Sequence, residues 1–152
     1  MKRFSVYLVL ALFALSIQAT FFPHIRPDLI LVLVCFYSLR EGQIKGMAYG
    51  ALTGLLMDSA SGFIIGPNIL SKSVVGFYFN RIRQKFFLWN VFLNTLFICL
   101  FAIIDIILVR VILEVFSGLS FAMRSPEVSI LSVIYTTAGS LIIYPILKER
   151  QS

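Results

Sequence analysis

Apolar residues along the chain fall into runs separated by short polar breaks. The runs are Phe4 to about Phe22, Leu29–Leu39, the glycine-rich stretch Ile44–Met57, Pro67–Asn80, Leu88–Phe116 and Val128–Leu147. A membrane-crossing helix needs about 20 apolar residues, and the chain's length leaves room for six such helices and short loops. Leu29–Leu39 is too short for a comfortable span at about 1.5 Å per residue. Leu88–Phe116 is longer than one span needs, so tilt or overhang is expected. Prolines mark two helix starts, Pro27 and Pro67, and Asp28 then lies in a first turn where a negative charge suits the helix dipole. Pro145 is expected to bend or stop the last helix. The pattern predicts an all-α membrane protein of six transmembrane helices, some short, forming a single polytopic domain over residues 1–152. The first run follows Lys2 and Arg3 and has Ala19 where a signal peptide would be cleaved. It is long for that role, and it reads as a retained first helix.

The third run carries the strongest regularity. Glycine stands at 42, 46, 50 and 54, Asp58 takes the next step, and glycine returns at 62 and 66. A step of four drifts only about 40° around a helix, so Gly46, Gly50 and Gly54 line one narrow groove without side chains. In water each interior glycine costs about 0.8–1.0 kcal/mol relative to alanine. In lipid such a face lets helix backbones approach closely. The groove serves either packing within the bundle or a partner helix.

Composition supports the membrane reading. Hydrophobic residues make up 59% of the chain and charged residues 13%, against about 25% charged in soluble domains. The net charge of +6 does not point to nucleic acid, because Arg81-Ile82-Arg83-Gln84-Lys85 is the longest basic cluster. Topology accounts for it. With six spans, Lys2, Arg3, Arg40, Lys45, Arg81, Arg83, Lys85, Lys148 and Arg150 share the side of the termini, and Arg26 and Arg124 lie opposite. Nine against two places both termini in the cytoplasm. Reading 29–39 as a re-entrant half-helix would destroy that bias, so 29–39 is expected to cross. Phe86, Phe87 and Trp89 suit the headgroup zone. Cys35 and Cys99 read as small buried hydrophobes, with no disulfide or metal framework.

Lys72, Asp105 and Arg110 fall inside apolar runs, and Asp58 and Glu114 near the outer ends. A central charge costs about 2.5–3.5 kcal/mol on insertion scales, so each should face protein or snorkel. Asp58, Lys72, Asp105 and Arg110 form a candidate intramembrane polar cluster, with Asp58 and Lys72 close enough in depth to pair. The partner of Asp105 is left open. Structural pairing, a contact for a partner helix or ligand, and an ion path are the competing uses. His24, at a proline-flanked junction, is the lone histidine. It permits no Ser/His/Asp set, and neither a phosphate loop nor a metal-ligand spacing is present. The reading is a protein without catalytic residues or cofactors.

These residues together resemble a family. Arg26-Pro27-Asp28-Leu29 opens a short apolar helix, the glycine helix ends at Asp58, and a small-residue loop holds Gly62 and Gly66. A basic turn follows the fourth helix, Asp105 lies in the fifth, and Pro126-Glu127 precedes the last. From about residue 4 to 148 the chain resembles MreD, the small rod shape-determining membrane protein of bacteria. The resemblance implies a place in the inner membrane as part of the cell-elongation complex. The implied partners are an MreC-type protein with one span, RodA and a class B penicillin-binding protein building lateral peptidoglycan, and MreB on the cytoplasmic side. The reading of the residues is a polytopic scaffold, with Gly46, Gly50, Gly54, Pro27 and Asp28 as its helix-packing or partner interface. The family is also similar in architecture to the six-helix substrate-binding subunits of vitamin transporters. That similarity supplies a rival expectation, a small-molecule-binding membrane subunit.

Overall fold

The computed structural model describes residues 2–21, 28–62, 64–85, 91–117 and 126–148. They form six helices: α1 (Lys2–Phe21), α2 (Leu29–Glu41), α3 (Gln43–Ser61), α4 (Pro67–Lys85), α5 (Val91–Ser117) and α6 (Pro126–Lys148). No strand occurs among the described residues. Each helix coincides with one apolar run, and the differences lie at the ends.

The polar break between the runs Leu29–Leu39 and Ile44–Met57 shrinks to Gly42 alone. Its φ of +100° lies where side chains are disfavoured, and its N–H closes α2 by donating to the Ser38 carbonyl at 3.0 Å. The basic turn expected at Arg81–Lys85 is instead the end of α4. Cations at a helix C-terminus meet its negative dipole end, so this stretch extends the helix. Similarly, α6 continues past Pro145 to Lys148. His24, Pro27, Phe86, Phe87 and Trp89 lie outside the described residues.

The short helix α2 occupies the centre. Nine consecutive residues, Ile30 to Ser38, are buried, and a helix apolar all round needs neighbours on every side. Helices α1, α3, α4, α5 and α6 all pack on it. On one flank Leu31, Val32, Cys35 and Phe36 meet Val75 and Phe79 of α4 and Ile98, Phe101 and Ala102 of α5. On the other, Ile30, Leu33, Val34 and Tyr37 meet Tyr7, Ala11 and Ala14 of α1 and Tyr49 of α3. The Tyr37 and Tyr49 rings lie 4.4 Å apart, and the Tyr49 hydroxyl donates to the Tyr7 carbonyl at 2.7 Å. Cys35 is buried and Cys99 half-buried, both as free thiols.

At 13 residues, α2 is only about 20 Å long, whereas the hydrocarbon core of a bilayer is about 30 Å thick. By length and composition, α5 is the helix among the described residues that is able to cross a membrane, over Phe92–Phe116. Phe4–Gln18 and Ser129–Leu141 are shorter apolar segments. Much of α5 faces outward, with Leu96, Leu100, Ile103, Ile107 and Val111 exposed.

Candidate functional site

Two features define the site: a glycine-closed hairpin of α3 and α4, and a polar junction at one end of it. The glycine groove is filled by α4 of the same chain. A methyl group on Gly50 would land on the carbonyl of Lys72, one on Gly54 on the carbonyl of Asn68, and one on Gly46 on Ser38 and the Gly76 carbonyl. The fit is mutual, since a methyl on Gly76 would strike the backbone of Gly46. Backbone therefore lies on backbone along the hairpin, which only small residues allow. The groove expected to receive either a bundle neighbour or a partner receives the bundle neighbour.

Beside this contact runs a polar seam. The Ser38 hydroxyl donates to the Gly76 carbonyl. Asn80 Nδ2 donates to the Ser38 carbonyl at 2.6 Å, and Gln84 Nε2 to Asn80 Oδ1 at 3.4 Å. These bonds explain how α4, the most polar of the helices, sits inside the bundle. Its buried polar side chains Ser71, Lys72 and Asn80 have partners, as burial requires.

At the other end of the hairpin the ionisable residues converge, though not as expected. Asp58 does not pair with Lys72. Its carboxylate accepts from the backbone N–H groups of Gly66 (2.9 Å), Asn68 (3.2 Å) and Ile69 (3.3 Å), and from Asn68 Nδ2 (2.7 Å). It thus caps the start of α4 from the last turn of α3, where unpaired N–H groups and the dipole favour an anion. Those four donors leave Lys72 to other acids. Its ammonium donates to Asp28 Oδ2 at 2.7 Å, to Asn68 Oδ1 at 3.2 Å and to both oxygens of Asp105 at 3.4 Å. Asn68 is the link between the two halves, donating to Asp58 and accepting from Lys72.

Asp28 does more than sit in a first turn. It is the N-cap of α2, its Oδ1 accepting from the Leu31 N–H at 2.9 Å. Its own N–H donates to Thr136 Oγ1 of α6 at 2.8 Å. Asp105 also bonds the Ser71 hydroxyl. The network therefore ties α2 (Asp28), α3 (Asp58), α4 (Asn68, Ser71, Lys72), α5 (Asp105) and α6 (Thr136). The Lys72 side chain is 0% exposed, that of Asp105 7% and that of Asp28 17%. A buried ion pair holds only when geometry and extra hydrogen bonds offset desolvation, and here both are supplied.

Arg110 does not join this cluster. Further along α5, its guanidinium bonds Ser129 of α6, which places it in a separate α5–α6 contact. Pro27, grouped with Asp28 at the sequence level, is outside the described residues. Asn68, Ser71 and Thr136 were not among the candidate cluster residues. One signal for two of them was present: Asn68 lies four residues and Ser71 one residue before Lys72, on the same helix. Among the described residues no group of three or more His, Cys, Asp or Glu could hold a metal ion.

Among the described residues, an all-helical bundle with one crossing-length apolar helix and glycine-to-backbone packing fits the class of helical membrane proteins. The family model for rod shape-determining protein MreD matches residues 1–149. The chain belongs to the MreD family, a family of bacterial shape determination. No curated protein and no solved structure matches the chain.

Proposed function

We propose that this protein is a six-span scaffold of the bacterial cell-elongation complex, with both termini in the cytoplasm. It links an MreC-type protein and the lateral peptidoglycan machinery (RodA and a class B penicillin-binding protein) to cytoplasmic MreB. Beyond family membership, the observation that carries the reading is the polar junction. A network that joins five helices through Lys72 makes the bundle one rigid body, which is what a scaffold needs.

The glycine face is consumed inside the bundle, so partner helices are assigned to the outward apolar faces of α1, α5 and α6. Val9 and Phe13 on α1, Leu100 and Ile107 on α5, and Ile130 and Ile134 on α6 are all exposed. Asp28, Asp58, Lys72 and Asp105 act by holding those faces in place. The basic ends of α2, α3 and α4, at Arg40, Lys45, Arg81 and Lys85, face the cytoplasm in this topology.

The test is co-purification of the full-length protein in mild detergent from cells producing an MreC-type partner. The expected result is stoichiometric recovery of that partner, reduced by Leu100→Trp or Ile107→Trp. The same sample is heated with a panel of metabolites. Stabilisation by one of them through mass action, with no MreC-type partner recovered in any detergent, overturns the scaffold in favour of a transporter-like binding subunit.

A further inference from the structure

Among the described residues the charge at the junction does not balance. Lys72 brings one ammonium, while Asp28 and Asp105 bring two carboxyl groups. The 2.7 Å contact from Lys72 to Asp28 is a charge-assisted hydrogen bond, for which about 2.7–2.9 Å is usual. The two 3.4 Å contacts to Asp105 lie outside that range. Asp28 is further supported by the Leu31 N–H at the start of α2, and it is the more exposed of the two acids. Asp105 is nearly enclosed and lies midway along the apolar segment Phe92–Phe116, the costliest depth for a charge.

Among the described residues no other cation answers it. Helix α4 offers Lys72 and the neutral hydroxyl of Ser71. Helix α2 offers Asp28 and the Cys35 thiol, and α6 the hydroxyl of Thr136 beside Asp28. On α5 itself, Arg110 is engaged with Ser129, and Glu114 is exposed. Asp58 stands behind Asn68 with four donors of its own. The position where a metal ion would sit between Asp28 and Asp105 is already filled by the ammonium.

We propose that the junction is a proton-binding site: one proton is held on the Asp28–Asp105 pair, resident on Asp105, so that acid, ammonium and carboxylate together are neutral. Binding adds a proton to one carboxylate oxygen and breaks no bond. The assignment holds whatever partners the protein has. It also makes the bundle responsive to pH. When the proton leaves, a net negative charge stays inside the apolar bundle, and the attachment of α5 to α4 weakens.

Infrared spectroscopy of the full-length protein in lipid nanodiscs tests this through the carbonyl stretch of a protonated carboxylic acid. At neutral pH that band is expected in the wild type and absent in Asp105→Asn. It is also expected to be lost in Asp28→Asn, where one acid then faces one ammonium. Lys72→Met should strengthen it, and Asp58→Asn should leave it unchanged. A second readout needs no variant. The wild-type band and melting temperature should fall together as pH rises, because the folded state then loses a proton it had bound. Replacing potassium by sodium at constant ionic strength should move neither. A wild-type spectrum without the band at neutral pH, a band that survives Asp105→Asn, or a sodium-dependent shift would each overturn the proposal.

Discussion

Gly50→Ala is the sharpest perturbation of the α3–α4 hairpin. The added methyl would lie 2.7 Å from the carbonyl carbon of Lys72 and nearer still to its oxygen. Carbon–carbon contacts are optimal at about 3.5–4.0 Å, so the helices must separate by about 1 Å. A gap of about 0.5–1 Å forfeits a quarter to a half of each contact's attraction, and the loss extends to Gly46, Gly54 and Gly76. Overpacking costs about 1–3 kcal/mol, and the upper end applies because backbone cannot change rotamer. Alanine's helix propensity returns about 0.8–1.0 kcal/mol. The net loss is about 2 kcal/mol, roughly thirty-fold in the folded-to-unfolded ratio. Leu52→Ala, on an exposed position of the same helix, should cost within about 0.5 kcal/mol. The assay is thiol labelling of buried Cys35 during titration of mixed micelles with a denaturing detergent, in a Cys99→Ala background. Gly50→Ala labelling at the wild-type midpoint, or Leu52→Ala shifting as far, refutes the argument.

Lys72→Met strands the Asp28 carboxylate beside Asp105 and should cost about 3–5 kcal/mol; adding Asp28→Asn and Asp105→Asn should recover much of it in the same labelling assay. Asp58→Ala removes the cap of α4 and should cost about 0.5–2 kcal/mol, with a double-mutant cycle against Lys72→Met showing coupling through Asn68. Tyr49→Phe deletes the bond to the Tyr7 carbonyl and should cost about 1 kcal/mol, read as a lower melting temperature with the partner complex still formed. For topology, in a background lacking Cys35 and Cys99, Ser61→Cys should react with an impermeant reagent from outside and Arg83→Cys should not; reaction at position 83 means the six-span arrangement is wrong.

The helix positions were legible because apolar runs and prolines report directly on burial and backbone. The close contact along Gly46, Gly50 and Gly54 was legible for the same reason: a spacing of four leaves one bare face. Its occupant was not, because a bare face does not specify what fills it. Asp58 and Lys72 look like a pair when only depth is considered. They are not one, because the start of α4 presents N–H groups that compete for the carboxylate, and sequence distance hides them. Asp105 found its partners through Ser71 and Lys72, which adjoin on α4. Arg110 reads as part of the same cluster in one dimension, yet it meets α6 at Ser129. The end of α4 reads as a turn in sequence because Arg81, Arg83 and Lys85 resemble a loop by charge, although such charges suit a helix C-terminus.

The buried network also sets a timetable for synthesis. Asp28 precedes Lys72 by 44 residues, and Asp105 follows Lys72 by 33. At about 5–20 residues per second, the first acid waits roughly 2–9 s for its counter-ion. Thr136, which accepts the Asp28 N–H, arrives 108 residues after it. Until Lys72 emerges, α2 lacks its charge partner and its contacts with α4, α5 and α6. In the six-span arrangement proposed above, the nascent first half would carry Asp28 without this counter-ion until α4 emerges.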